Sequence, residues 1–168
     1  MAGTKLIAEP GRKEIIVTRL FDASPELVFQ AMTDPSLVPQ WWGPRCLTTE
    51  VDQMDVRPGG LWRFINRELD GYEYAFHGVY HRVAPSKQLV YTVEFEGMPG
   101  HVLLETITFE ELEGKTKITD QSVFQSVEDR DGMLMSGMEG GVLETLDRLA
   151  ELLAERLEAA PLETTLNY

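Results

Sequence analysis

Cysteine is nearly missing from this chain: Cys46 stands alone among 168 residues. One thiol excludes an intrachain disulfide framework and cannot by itself build a cysteine-based zinc site. Cys46 reads more readily as a small apolar residue than as a nucleophile. Histidine is scarce too, with only His77, His81 and His101 present. His77 and His81 stand four residues apart on one strand, about 13 Å, too far to share a metal ion. No metal site is expected. Apolar runs of the ~20 residues that a membrane helix needs are lacking, so no membrane insertion is expected. Met1–Pro10 has no apolar stretch behind a basic start, which makes the cytoplasm the default compartment. Positive charge is in short supply: 15 Lys and Arg face 28 Asp and Glu, a formal net charge of −13. Such a field repels phosphate backbones and anionic bilayers, and it argues against nucleic acid as a partner.

What is present suits one folded domain. Hydrophobic residues make up 43% and charged residues 26%, the ordinary globular range. Residues 1–12, with Gly3, Pro10 and Gly11, read as an arm with little core of its own. From Lys13 to Phe21 the run Ile15, Ile16, Val17, Thr18 predicts a strand. Ser24-Pro25 is a helix start, a capping hydroxyl followed by proline at the first helical position. Asp34-Pro35 repeats that signal, but Pro39 makes the second helix short or kinked. Strands are then expected over Leu47–Met54, Gly60–Glu68, Tyr72–Ala84, Gln88–Glu96, His101–Glu110 and Lys115–Phe124. Short Gly- and Pro-rich turns separate them, which makes neighbours antiparallel. After Glu128 the period changes from two to 3.6. Val142, Leu146, Leu149, Leu153 and Leu157 form one stripe of a helix over Met138–Ala159, roughly 33 Å long. Pro161 stops it, and 161–168 read as a polar tail. The expected architecture is α+β, a curved six- or seven-stranded antiparallel sheet around the long C-terminal helix, with domain limits of 13–160.

Several stretches match this plan. They are Glu14–Arg19 with Phe21 and Ser24–Phe29; Trp41-Trp42-Gly43-Pro44; Gly59–Phe64; Gly78-Val79-Tyr80 with Pro85 and Leu89–Thr92; and Ser136–Gly141 leading into Leu143, Leu146 and Leu149. Together they resemble the START-like, birch-pollen-allergen-like (SRPBCC) superfamily. The branch they resemble is the one homologous to the activator of the heat-shock-protein-90 ATPase. The resemblance implies a helix-grip fold. Its relatives include lipid and hormone carriers, aromatic polyketide cyclases and a co-chaperone. Two positions depart from the family pattern. Where an aromatic residue often follows the glycine at the start of the last helix, Val142 follows Gly141; and Pro39 interrupts a usually smoother second helix. Fold membership does not settle activity.

Candidate ligand-binding residues are the aromatic and flexible side chains that strand alternation or the family plan brings inward. These are Trp41, Trp42, Trp62, Phe64, Tyr74, Phe76, Tyr91 and Phe95, with Met138 and Val142 on the last helix. The alternative for any one of them is that it simply fills the core. Glu105 shares the apolar parity of Leu103, Ile107 and Phe109, and Asp120 shares that of Thr116, Ile118 and Ser122. If the Glu113-Gly114 turn sets Phe109 against Thr116, Glu105 faces Asp120 about 5 Å away at Cβ. Burial and like charge would raise the pKa of one, a plausible acid, base or ligand anchor. The alternative is that one acid points to solvent or pairs with Arg63. Gly137, Gly140 and Gly141 fit neither the dinucleotide fingerprint nor the P-loop, and no cofactor is expected.

These readings leave three candidate functions. The first is binding of a small hydrophobic or aromatic molecule in a cavity between sheet and helix, with a mouth near Trp41 and Trp42. The second is a cyclase- or hydrolase-type enzyme using Glu105 and Asp120. The third, from the family resemblance alone, is a chaperone-associated module. Exposed tyrosines also leave room for a homodimer.

Overall fold

The computed structural model describes residues 3–159; the tail read at 161–168 lies outside them. Eight antiparallel strands form one sheet in the order β1-β2-β8-β7-β6-β5-β4-β3. They are β1 Lys5–Ile7, β2 Glu14–Phe21, β3 Thr48–Met54, β4 Leu61–Arg67, β5 Glu73–Ala84, β6 Gln88–Phe95, β7 Val102–Leu112 and β8 Lys115–Val123. The sheet curves around the C-terminal helix, which is the helix-grip fold. The eighth strand comes from the arm: Lys5–Ile7 pairs with Thr18–Ile16 of β2 and forms a short edge.

Helix α1, Pro25–Thr33, begins where Ser24 accepts a hydrogen bond from the Leu27 amide and Pro25 occupies the first turn. It buries Val28, Ala31 and Met32. Pro39 limits the next helical segment to a single 3-10 turn, Val38–Gln40, because proline has no amide hydrogen for a longer ladder. Helix α2, Val127–Met135, was not expected from periodicity; its signal is the Ser126 cap, which accepts from the Asp129 amide, with Glu128 and Asp129 in the first turn. Helix α3, Met138–Ala159, lies across the sheet and buries Leu146, Leu149, Leu152 and Leu153. Leu157, expected to continue the stripe, is half exposed instead.

Two clusters make up the interior. The larger joins α1 and α3 to Ile15, Phe21, Leu89, Ile107 and Ile118. The smaller, at the β3–β6 end, holds Val38, Trp62, Phe64 and Tyr80. A bulge between Tyr80 and Arg82 of β5 reverses the alternation there. It lets both Tyr80 and Val83 pack inward.

Candidate ligand-binding cavity

A cavity of about 480 Å³, partly open to solvent, lies between the sheet and α3 where the two clusters meet. Its aromatic wall is built by β4, β5 and β6 with the loop after the 3-10 turn. Trp42 meets Phe64 at 5.1 Å and Phe76 at 5.3 Å between centroids, both edge to face. Trp62 lies 4.8 Å from Phe64 and 6.0 Å from Tyr91. The Trp62 indole donates to the Thr92 carbonyl (3.1 Å), crossing β5 at Gly78. Any Cβ at Gly78 would collide with that carbonyl and the indole nitrogen, so only glycine lets Trp62 lie flat there.

Ten of the twelve candidate residues border the cavity: Trp41, Trp42, Trp62, Phe64, Phe76, Tyr91, Met138, Val142, Glu105 and Asp120. Tyr74 and Phe95 do not. Tyr74 donates to Glu68 (2.6 Å), which raises its pKa to about 12, and Phe95 stacks behind Phe76 at 5.1 Å. Both share the expected face but sit past the end of the hollow, since alternation fixes a side chain's face and not its distance from the helix. Trp41 is anchored, its indole donating to the Ala31 carbonyl at 2.9 Å. The rim next to it is tied to α3, where Arg148 donates to the carbonyls of Gly43 (2.7 Å) and Gln40 (3.2 Å). Met133, Gly141 and Thr145 complete the α2–α3 side.

The polar groups of the cavity are few. Asn66 is buried, and its amide lies 2.8 Å from the Thr49 hydroxyl, which also donates to the Trp42 carbonyl (2.6 Å). Tyr80 and Tyr91 have phenols whose pKa burial pushes up. Glu105 and Asp120 both line the hollow, but the register between their strands differs from the expected one. Leu112 pairs with Lys115, so Glu105 faces Ser122 and Ile107 faces Asp120. The cause is a two-residue hairpin with positive φ at Glu113 (52°) and Gly114 (80°), which carries the pairing further toward the turn. A slip of two keeps every side chain on its face. The acids therefore meet diagonally, with Asp120 within hydrogen-bonding reach of Glu105. Ser122 donates to Glu105 Oε1 (2.7 Å), while Glu105 Oε2 and Asp120 Oδ1 are buried with no partner outside the pair. Burial first, then the Glu105 charge and hydrogen bond, push the Asp120 pKa well above the carboxylate range. Arg63, the alternative partner for these acids, bonds Glu96 and Asp52 elsewhere.

Residues 22–154 match the family described as Activator of Hsp90 ATPase homolog 1-like protein, and the chain belongs to that family within the START-like superfamily. Among solved structures, a protein from Chromobacterium violaceum is 26% identical over 84% of this chain and 96% of its own, with a TM-score of 0.75. One from Rhodobacter sphaeroides is 24% identical with a TM-score of 0.84, covering 91% of this chain and 99% of its own. A solution structure from Arthrobacter aurescens shares 23% identity and a TM-score of 0.83 over 98% of both chains. No curated protein gave a match. No described helix is long and apolar enough to cross a membrane.

Proposed function

We propose that this protein binds a small, largely aromatic molecule in the cavity between its sheet and α3. The observation that carries the reading is the hollow itself: about 480 Å³, bordered mainly by aromatic and aliphatic side chains, with a few convergent polar groups. Its size and lining suit a compact organic ligand, and Trp42 and Trp62 in the wall give the binding event a fluorescence signal. Native mass spectrometry of protein purified from its own host should reveal a co-purifying small molecule. Titration with apolar aromatic probes should quench the tryptophan emission saturably. A bare protein mass across several growth conditions, with no saturable quench by any probe, would refute it.

The paired acids favour a second reading, cyclase- or hydrolase-type chemistry on the bound molecule. A protonated Asp120 beside Glu105 has the form of a general acid next to its base. This reading requires that Asp120→Asn abolish turnover while leaving ligand affinity within a few fold.

A further inference from the structure

The cavity's acids have no counter-charge. No lysine, arginine or histidine is among the described residues that line it. The Ser122 hydroxyl, outside the lining, donates to Glu105 Oε1 alone. Glu105 Oε2 and Asp120 Oδ1 accept from nothing outside the pair, and the one hydrogen bond open to them is the proton that Asp120 directs toward Glu105. A buried acid pair with no cation beside it costs free energy, and its place at the wall of the hollow defines what the missing group must be: a donor, and preferably a cation. The wall supports the same charge. The faces and edges of Trp62, Phe64, Tyr80 and Tyr91 surround the space next to the acids, and aromatic faces attract cations.

We infer that the ligand is an aromatic or aliphatic amine whose protonated nitrogen donates to the carboxyls of Glu105 and Asp120 while its apolar body lies against the tryptophan wall. The inference rests on the binding function proposed above. The groups facing the nitrogen are Tyr80 from β5, Tyr91 from β6, Glu105 from β7 and Asp120 from β8, with Thr145 the polar contribution of α3. The two phenols stay neutral, so the acids set the charge of the site. Before binding, the pair shares a proton; an incoming ammonium replaces it, and that proton leaves to the buffer.

Three probes of one shape separate the possibilities: naphthylmethylamine, naphthylmethanol and naphthoic acid, titrated at pH 7 by tryptophan quenching and calorimetry. The amine should bind about tenfold or more tighter than the alcohol, as expected for a desolvated charge-assisted pair. The acid should bind weakest. Amine binding heats should differ between phosphate and Tris buffers, reporting release of a proton. The double variant Glu105→Gln/Asp120→Asn, which carries no charge at the site, should remove the amine's advantage over the alcohol. Equal binding of amine and alcohol, or tightest binding of the acid, overturns the inference while leaving the cavity a binding site. Failure of all three to bind overturns this inference, and with a bare protein mass from the host it overturns the binding function too.

Discussion

At the scale of single residues, Asp120 has a consequence for folding as well as for binding. Its pKa is raised in the folded state, from an ordinary value of 3.8, by burial and by Glu105. The folded protein therefore holds the proton more tightly than the unfolded chain does. By linkage, stability falls as pH rises from about 4 through the raised value. Glu96 acts in the opposite sense. Arg63, and then His77, hold its carboxyl down to about 2, so its contribution is lost as pH falls from about 4.5 toward that value. Asp120→Asn removes only the alkaline limb. Urea unfolding should show the variant more stable than wild type at pH 8 by about 1 kcal/mol or more, since one pKa unit is worth ~1.4 kcal/mol. The two should converge near pH 4, and parallel curves at both pH values would contradict the buried acid. Gly78 offers a second test. A methyl there would meet the Thr92 carbonyl and the Trp62 indole. Gly78→Ala should cost about 2 kcal/mol or more, and the displaced Trp62 should shift the emission spectrum. A melt unchanged within a degree would contradict the close approach.

At the scale of elements, α3 begins weakly. Met138-Glu139-Gly140-Gly141 opens the helix beside the cavity, and a Cβ at either glycine would meet nothing within 4 Å. Each glycine therefore costs the helix about 1 kcal/mol relative to alanine with no steric reason to be there. Gly140 is exposed and off the cavity wall, so Gly140→Ala should raise stability by up to about 1 kcal/mol. It should also slow amide exchange over 138–145; exchange unchanged there would show that this turn is held by other contacts. The elements also show what the sequence revealed. The long strands and α3 were legible because period two and period 3.6 are each sustained over many residues. Strand β1 was not, being three residues long between Gly3 and Pro10. Nor was α2, whose VEDRDGMLM has little of an apolar face. Parity placed Glu105 and Asp120 on the inner face, but their diagonal contact depended on the hairpin's loop length. Tyr74 and Phe95 could be assigned a face and not a position along the hollow. That no cation stands beside the acids in the lining became visible only with coordinates.

At the scale of the whole molecule, the hollow is a place where two clusters stop short of one another. Ile107 and Ile118 belong to one cluster, Trp62 and Phe64 to the other, and all four border the space between. An empty space of this kind lowers stability, because its lining atoms forgo contacts that filling would supply. Val142 sits at its α3 wall. A phenylalanine at this position would extend toward the aromatic wall and occupy volume that a ligand would otherwise fill. Val142→Phe should therefore stabilise the ligand-free protein by about 1 kcal/mol, the scale expected for filling a few tens of cubic ångströms. The same change should weaken binding of an aromatic amine by about tenfold or more. Stability and affinity would move in opposite directions from one substitution, which a change in surface charge or helix propensity does not produce. Measured together by thermal unfolding with and without ligand, the two effects should cancel near saturation, since ligand stabilises wild type more than variant. A variant that is less stable and still binds normally would mean that this volume is not where the ligand lies.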